Sequence, residues 1–109
     1  MLAYVRQHLG ENDLSAARIA AAHHISERHL YQVLSREGIA LRAWIRTQRL
    51  ERCRHELASA CCGRFSIESI ASRWGFISAP HFSRTFKLAY GMTPRQWRHL
   101  SRQGAIHRA

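Results

Sequence analysis

The sequence repeats itself, and this repeat constrains the fold more than any other feature of the chain. The stretch LSAARIAAAHHISERHLYQVL resembles FSIESIASRWGFISAPHFSRTF, with one extra residue in the turn of the second copy. Similarity of this kind indicates one supersecondary unit that is used twice. The matched pairs are Ser15 and Ser66, Ile19 and Ile70, Ala20 and Ala71, Ser26 and Ser78, His29 and His81, Leu30 and Phe82, and further along Gly38 and Gly91, Arg42 and Arg95, Trp44 and Trp97.

Apolar residues recur at helical spacing along the chain, and no strand-like alternation persists anywhere. We therefore predict an all-α fold with seven helices. Serine and threonine caps, the two prolines and the glycines set their limits. The first predicted helix begins at Leu2 and is stopped by Gly10, and the second begins at a cap at Ser15. The next four are predicted from Ser26 to Arg36, Ala40 to Ala60, Ser66 to Trp74 and Ser78 to Tyr90, and the seventh begins at Thr93 and Pro94.

Each copy of the repeat reads as a short helix, a turn and a longer helix, the outline of a helix-turn-helix unit. A plain α-hairpin has the same outline, so one copy alone would be a weak signal, and two copies are a much stronger one. The predicted division is residues 1–38 for the first unit, 39–61 for a linking helix and 62–109 for the second unit.

The longer helix of each copy divides its residues between two faces, because spacings of three and four return to one side of a helix. Phe82, Phe86 and Ala89 form the predicted core face of the sixth helix, and Leu30, Val33 and Leu34 form that of the third. The predicted outward residues are Arg28, Tyr31, Gln32 and Ser35 on the third helix, and Ala79, Pro80, Ser83, Arg84 and Lys87 on the sixth.

These outward residues suit the edges of bases in duplex DNA. Arginine can donate two hydrogen bonds to guanine, and glutamine matches the edge of adenine. We expect Arg28, Gln32 and Arg84 to read bases, whereas Tyr31 and Ser83, like Lys87, suit phosphates equally well. The alternative is that both faces are merely solvated.

The charge balance favours a polyanionic partner. Seventeen Lys and Arg residues stand against seven Asp and Glu, which gives a formal net charge of +10. No apolar run approaches the roughly 20 residues of a membrane-spanning helix, and no secretory leader is visible, so we expect no membrane partner. Cys53, Cys61 and Cys62 make an odd number of cysteines, which fits a reducing cytoplasm. We expect a cytoplasmic protein associated with the nucleoid.

Phosphate contacts are expected on both units. The amino ends of the helices at Ser15 and Ser66 can present backbone N–H groups to phosphates. At 1.5 Å per residue the linking helix is about 30 Å long, close to the roughly 34 Å between successive openings of the major groove. The candidate arginine anchors are Arg18, Arg42, Arg46, Arg73, Arg95 and Arg98, for each of which a solvated position is the simpler interpretation.

Other classes of function find little support. Asp13 is the only aspartate, and neither a glycine-rich phosphate loop nor a recognisable Ser-His-acid setting occurs, so we predict that the chain is not an enzyme. The adjacent pairs His23–His24 and Cys61–Cys62 lack the gaps of zinc sites. His29 and His81 are interpreted as filling equivalent structural niches. We expect no metal and no cofactor.

A non-specific nucleic-acid-binding or RNA-binding helical module is the main alternative. Readers of RNA commonly stack unpaired bases on exposed aromatic side chains. Most aromatic residues of this chain fall on predicted inward faces, with Tyr31 as the exception. Duplex DNA is therefore the preferred partner.

At the level of motifs the chain resembles the DNA-binding region of the AraC/XylS family of bacterial transcription regulators. The stretch SIESIASRWGFISAPHFSRTFKLAYGMTPRQWR follows the patterns I-A-x-x-x-G-F, F-x-R-x-F-K and G-x-T-P-x-x-[YW]-R, and RLERCRHEL in the linking helix is also similar. The resemblance extends from about Leu2 to Arg98, and it is looser in the amino-terminal half.

The resemblance implies two helix-turn-helix units that insert helices 26–36 and 78–90 into successive major grooves. It also implies a transcription activator that works with RNA polymerase, with an effector or dimerisation domain that is missing from this chain. The base-contacting positions of the family fall on Arg28, Tyr31 and Gln32 in the first unit, and on Ala79, Pro80, Ser83 and Arg84 in the second.

Two positions depart from the family pattern. His24 stands where the first turn often has glycine, so its backbone must either avoid a positive φ or tolerate strain. Ala79 and Pro80 replace side chains that commonly read bases, and they offer only apolar contact, such as contact with a thymine methyl group. We therefore expect the second unit to supply more affinity than discrimination.

Overall fold

The computed structural model describes residues 1–59 and 65–102, the last of these without its side chain. These ranges contain seven α-helices and no strand, which confirms the all-α prediction. Ala60, the predicted end of the fourth helix, and the pair Cys61–Cys62 lie outside the described residues. The helices are α1 (Leu2–Gln7), α2 (Ala16–Ala22), α3 (Glu27–Arg36), α4 (Leu41–Ala58), α5 (Ile67–Arg73), α6 (Ala79–Tyr90) and α7 (Pro94–Arg102).

Hydroxyl caps begin most of these helices, as predicted. Four helices begin at a serine whose side-chain oxygen accepts a hydrogen bond from the backbone N–H three residues later in the chain. At α7 the caps are reciprocal: the Gln96 N–H donates to Thr93 Oγ1 at 3.1 Å and the Thr93 N–H donates to Gln96 Oε1 at 2.8 Å. A cap of this kind contributes about 1 kcal/mol. The serine caps are Ser15 for α2, Ser26 for α3, Ser66 for α5 and Ser78 for α6.

The chain forms two compact units, one from Met1 to Arg49 and one from Leu50 onward. The boundary lies inside α4, so each unit contains one part of this helix. The first unit contains α1 to α3 and the second contains α5 to α7.

Aliphatic side chains fill the first unit, and one arginine fixes the end of α1. This helix ends at Gln7, before the predicted stop at Gly10. The chain turns there because Arg49 donates from Nε to the Leu9 carbonyl and from Nη2 to the Glu11 carbonyl, each at 2.9 Å. The buried apolar residues of the unit are Val5, Leu9, Ile19, Ala20, Leu30, Leu34, Leu41 and Ile45.

Aromatic rings dominate the second unit. Phe76 lies 4.9 Å from Phe82, Phe82 lies 5.7 Å from Phe86, and Phe86 lies 4.7 Å from Tyr90, measured between ring centroids. The prediction that Ala89 belongs to this core is wrong, because Ala89 is exposed and the next residue on the Phe82–Phe86 face is Tyr90. The buried cluster comprises Leu50, Cys53, Leu57, Ile70, Ala71, Phe76, Phe82 and Phe86.

The two helix-turn-helix turns each place a residue with a positive φ at the matching position of the repeat. Gly75 has a φ of 91°, and His24, its counterpart in the repeat, has a φ of 57°. Within the described ranges, His24 is the one residue other than glycine with a positive φ. The first turn therefore tolerates strain that glycine avoids in the second.

Candidate nucleic-acid interface

Helix α3 divides as the sequence predicts. Leu30 and Leu34 are fully buried, whereas the side chains on the other side reach solvent. Tyr31 keeps 43% of its surface exposed. The outward residues together line one shallow hollow on the surface of the first unit, and they are Arg28, Tyr31, Gln32, Ser35 and Arg36. All four residues that we predicted on this helix are thus gathered on one face.

Arg36 is the member of this face that the sequence analysis did not name. It lies one helical turn after Gln32, so the same spacing argument identifies it. Its guanidinium adds a second positive charge to the hollow beside Arg28.

Helix α6 presents a different outward surface. Phe82 and Phe86 are buried, Arg84 and Lys87 are exposed, and Ser83 is half-buried. Ala79 and Pro80 are exposed in the first turn, and together with Ser83 they line an open hollow of ≈ 440 Å³. Ile67 at the start of α5 and Pro94 at the start of α7 close its other sides. These two contributors come from neighbouring helices, and nothing in the α6 sequence signals them.

At the two helix starts whose backbone N–H groups are predicted to meet phosphates, the serine hydroxyl groups act as caps. Ser15 Oγ accepts from the Arg18 N–H at 3.2 Å, and Ser66 Oγ accepts from the Ser69 N–H at 3.0 Å while donating to Ser69 Oγ. At each of these two helix starts, the cap leaves only the backbone N–H groups of the first two helical residues available to a phosphate.

Arg18 is already held by acidic side chains. Its guanidinium lies 2.5 Å from Glu11 and 2.9 Å from Asp13, and it contacts His8 Nδ1 at 3.2 Å. The hydrogen bond with Glu11 is the main reason that the pKa of Arg18 is raised. The pKa of the Glu11 carboxyl is lowered, first by its short contact with His8 and then by Arg18. A phosphate would therefore have to compete with Glu11 and Asp13 for the Arg18 guanidinium.

The candidate anchors of the second unit differ from one another. Arg73 donates from Nη1 to both carboxylate oxygens of Glu56 at 3.0 Å, and Arg98 donates to the Phe65 carbonyl. Arg95 is exposed and has no ion pair among the described residues. Arg42 and Arg46 of the first unit are in the same state. Within residues 1–59 and 65–102, three of the six predicted anchors thus have no ion-pair partner.

The histidines of the described ranges and the buried Cys53 do not form a metal site. His29 and His81 are exposed, so the interpretation that they fill structural niches is wrong. Burial raises the pKa of the Cys53 thiol to about 12, which makes this side chain an inert core residue. In the described ranges, no three His, Cys, Asp or Glu side chains are grouped as metal ligands, and no helix has both the length and the apolarity to cross a membrane.

Comparison with known proteins identifies the family. The helix-turn-helix domain family matches residues 19–100 of the chain. The chain is 32% identical over 94 residues to the transcriptional activator NphR of Rhodococcus, covering 86% of this chain and 27% of NphR. It is 31% identical over 98 residues to the regulatory protein PocR of Salmonella typhimurium, covering 89% of this chain and 31% of PocR. The chain thus spans less than a third of the length of these relatives.

Solved structures share the fold. A transcriptional regulator with an AraC-type DNA-binding domain from Chromobacterium violaceum superposes with a TM-score of 0.81 at 29% identity, covering 94% of this chain and 88% of that one. The C-terminal domain of the response regulator AraT from Geobacillus stearothermophilus gives a TM-score of 0.79 at 28% identity, covering 89% of this chain and 78% of that one. The chain therefore belongs to the AraC-type family of helix-turn-helix domains, and it is a sequence-specific DNA-binding domain of a transcription regulator.

Proposed function

We propose that this chain reads duplex DNA by inserting α3 and α6 into successive major grooves. The observation that carries the proposal is the division of these two helices into buried and exposed faces. Leu30 and Phe82 anchor them in the two cores, while Gln32 and Arg84 are exposed on the opposite sides. A helix with one buried and one polar, exposed face has the shape and the chemistry of a major-groove reader.

The proposed roles follow from the donor and acceptor groups. Gln32 pairs with an adenine edge, and Arg28 and Arg84 pair with guanine, each through two hydrogen bonds. Tyr31 and Lys87 contact phosphates or bases at the edges of these sites. Arg42, Arg46 and Arg95 contact phosphates, because each is exposed and unpaired within the described residues.

We further propose that the chain is the DNA-binding part of a longer activator. The similarity to NphR, which is named a transcriptional activator, supports activation, and the short share of that relative covered here supports an additional domain. Such a protein acts in the cytoplasm on the nucleoid and contacts RNA polymerase there.

Selection of bound duplexes from a random pool tests the proposal most directly. The wild-type chain should enrich a defined sequence. Gln32→Ala and Arg84→Ala should each relax the preference at one base pair, by about 1–3 kcal/mol of discrimination, and the two affected base pairs should lie in separate parts of the site. Arg42→Ala is the matched control, since loss of a phosphate contact weakens all sequences alike.

Two results would contradict the proposal. Equal losses on selected and random duplexes for both reader variants would show that Gln32 and Arg84 do not read bases. Equal competition by single-stranded RNA and by duplex DNA at one salt concentration would favour the RNA-binding alternative.

A further inference from the structure

A cluster of titratable side chains lies at the start of α2, around His8. His8 Nδ1 contacts the Glu11 carboxylate, and the same ring nitrogen lies 3.2 Å from Arg18 Nη2. Arg18 also pairs with Glu11 Oε1 at 2.5 Å and with Asp13 Oδ1 at 2.9 Å. One imidazole, two carboxylates and one guanidinium therefore meet beside the helix start at Ser15, where a phosphate contact is predicted.

The two partners of His8 Nδ1 require different protonation states of this nitrogen. An ionised carboxylate only accepts hydrogen bonds, so the contact with Glu11 requires a proton on Nδ1. A guanidinium only donates, so the contact with Arg18 requires Nδ1 without a proton. The neutral ring can satisfy one partner or the other, whereas the imidazolium carries a proton on both nitrogens and can bond Glu11 alone. The protonation state of His8 therefore decides whether Arg18 keeps this contact.

The charges of the cluster act in the same direction. With a neutral imidazole, the carboxylates of Glu11 and Asp13 outweigh the Arg18 guanidinium by one negative charge. With an imidazolium at His8 the charges balance, so the site repels a phosphate less. The imidazolium also repels the guanidinium 3.2 Å away and competes with it for Glu11. Protonation of His8 should therefore weaken the hold of the carboxylates on Arg18.

The other groups around His8 do not change their charge in the range where histidine does. The Tyr4 ring lies 4.3 Å from the His8 ring, and Arg49 reaches the same turn from α4 to bond two backbone carbonyls. Tyrosine and arginine ordinarily keep their charge between about pH 5 and 8. His23 meets the edge of Tyr4 at 5.4 Å, and its Nδ1 contacts a backbone carbonyl of α2 at 2.9 Å. His8 is thus the histidine in direct contact with Glu11 and Arg18.

We propose that His8 controls a phosphate contact of Arg18: the imidazolium competes for Glu11, and the released guanidinium binds the DNA backbone. His8 is a positioning residue in this arrangement, because it acts through Arg18. A DNA complex that favours the protonated ring takes up a proton, so affinity for duplex DNA should rise as pH falls through the range in which histidine titrates. The inference rests on the proposed function, and in particular on the start of α2 facing a phosphate.

The affinity for the selected duplex, measured from roughly pH 8 to roughly pH 5.5 at constant salt, tests the inference. Over this range the wild-type chain should gain about threefold more affinity than His8→Gln, a change of the size that a surface ion pair produces. Other histidines, such as the exposed His29 and His81, add to the pH dependence of both chains, so the difference between the chains is the informative quantity. Equal pH dependence in the two chains would overturn the inference.

The Arg18→Ala background is the matched control, because it contains no guanidinium to release. There His8→Gln should leave the pH dependence of DNA affinity unchanged. A difference of about threefold that persists in this background would show that His8 acts on DNA without Arg18, and it would overturn the inference. Far-UV circular dichroism confirms that each variant is folded.

Nuclear magnetic resonance of the chain without DNA tests the release of Arg18 by itself, and it suffices if a variant does not fold. The Arg18 Nε–H resonance should shift as the ring resonances of His8 titrate, and the shift should be smaller in Glu11→Gln. An Arg18 resonance that stays constant through this titration overturns the inference and leaves the proposed function standing. Failure of the wild-type chain to enrich any duplex overturns the proposed function, and the phosphate contact with it.

Discussion

The two helix-turn-helix units repeat one backbone plan, but their second helices present different chemistry to solvent. Helix α3 gathers Arg28, Tyr31 and Gln32 around one hollow, whereas the first turn of α6 offers Ala79 and Pro80. Hydrogen-bonded base contacts discriminate by about 1–3 kcal/mol, while burial of a methyl group contributes about 0.8 kcal/mol. We infer that the first unit carries most of the sequence discrimination and that the second contributes relatively more affinity.

The cores of the two units also differ in the kind of side chain that fills them. The first core is aliphatic, and the second contains a chain of four aromatic rings that ends at Tyr90. Trp97 adds a hydrogen bond from its Nε1 to the Arg54 carbonyl at 2.9 Å, and the Arg54 guanidinium lies 5.2 Å from the centroids of Tyr90 and Trp97. The second unit thus combines an aromatic core with hydrogen-bond and cation–π contacts made by Trp97 and Arg54.

The largest effects are expected in the cores. Phe86→Ala should lower the free energy of unfolding by about 3–5 kcal/mol, because Phe86 is fully buried among aromatic rings. Leu34→Ala, its counterpart in the first unit, should cost about 2–5 kcal/mol. Urea unfolding followed by circular dichroism measures both. Leu88→Ala is the control on α6: Leu88 is 89% exposed, and a change above roughly 0.5 kcal/mol there would contradict the described orientation of the helix.

The next largest effect on stability is expected from the hydrogen bond between Tyr90 and Glu51 in the second unit. Tyr90 donates from its hydroxyl to Glu51 Oε2 at 2.6 Å, and Arg54 bonds the other carboxylate oxygen at 3.0 Å. Tyr90→Phe should therefore lower the free energy of unfolding by about 1–2 kcal/mol at neutral pH. Glu37, near the matching position of the first unit, is exposed, so Glu37→Gln should have almost no effect.

The same pair predicts a dependence on pH. Burial raises the pKa of Glu51, but hydrogen bonds from Arg54 and Tyr90 outweigh burial and bring this pKa below its ordinary value of 4.5. A lowered pKa in the folded state stabilises the fold above pH 4.5, and this contribution is lost as pH falls through the folded value. The destabilisation by Tyr90→Phe should consequently shrink in acid. A difference that stays constant as the pH falls from 7 until Glu51 is protonated in the folded state would contradict an ionised acceptor at Glu51.

The salt dependence of DNA affinity should differ between variants of arginines without an ion pair and variants of arginines within one, in both units. Arg42→Ala in the first unit and Arg95→Ala in the second should each reduce the slope of log affinity against log salt by about 1. Arg18→Ala and Arg73→Ala are the matched controls, since Glu11, Asp13 and Glu56 already hold their charges. A full unit of slope lost in either control would show that DNA displaces the internal ion pair.

Much of this fold could be predicted because the signals are local. The caps at Ser26 and Ser78, the positive φ of Gly75 and the opposite placement of Leu30 and Gln32 all depend on residues within one helical turn. The exposure of Arg28 and Arg84 follows from the same periodicity.

The remaining features depend on contacts between distant residues. Nothing near Arg18 in the helical pattern shows that Glu11 and Asp13 will pair with it, and nothing near Arg73 points to Glu56. The hollow at Ala79 likewise needs residues from α5 and α7. Sequence periodicity identifies which side chains are exposed, but it does not identify which of the exposed charged side chains form ion pairs with one another.

The smallest expected effect concerns the two turns. His24 adopts a φ of 57°, a conformation that costs a residue with a Cβ about 1–2 kcal/mol, whereas Gly75 adopts its φ of 91° without that cost. His24→Gly should stabilise the chain by only about 0.5 kcal/mol, because relief of strain is partly offset by the greater entropy of glycine in the unfolded state. The His24 side chain is exposed, and it makes no hydrogen bond or ion pair with the described residues that this change would remove. Gly75→Ala should destabilise, and it serves as the opposite control. Thermal unfolding measures both shifts, and a loss of stability in His24→Gly would mean that the histidine holds the first turn rather than straining it.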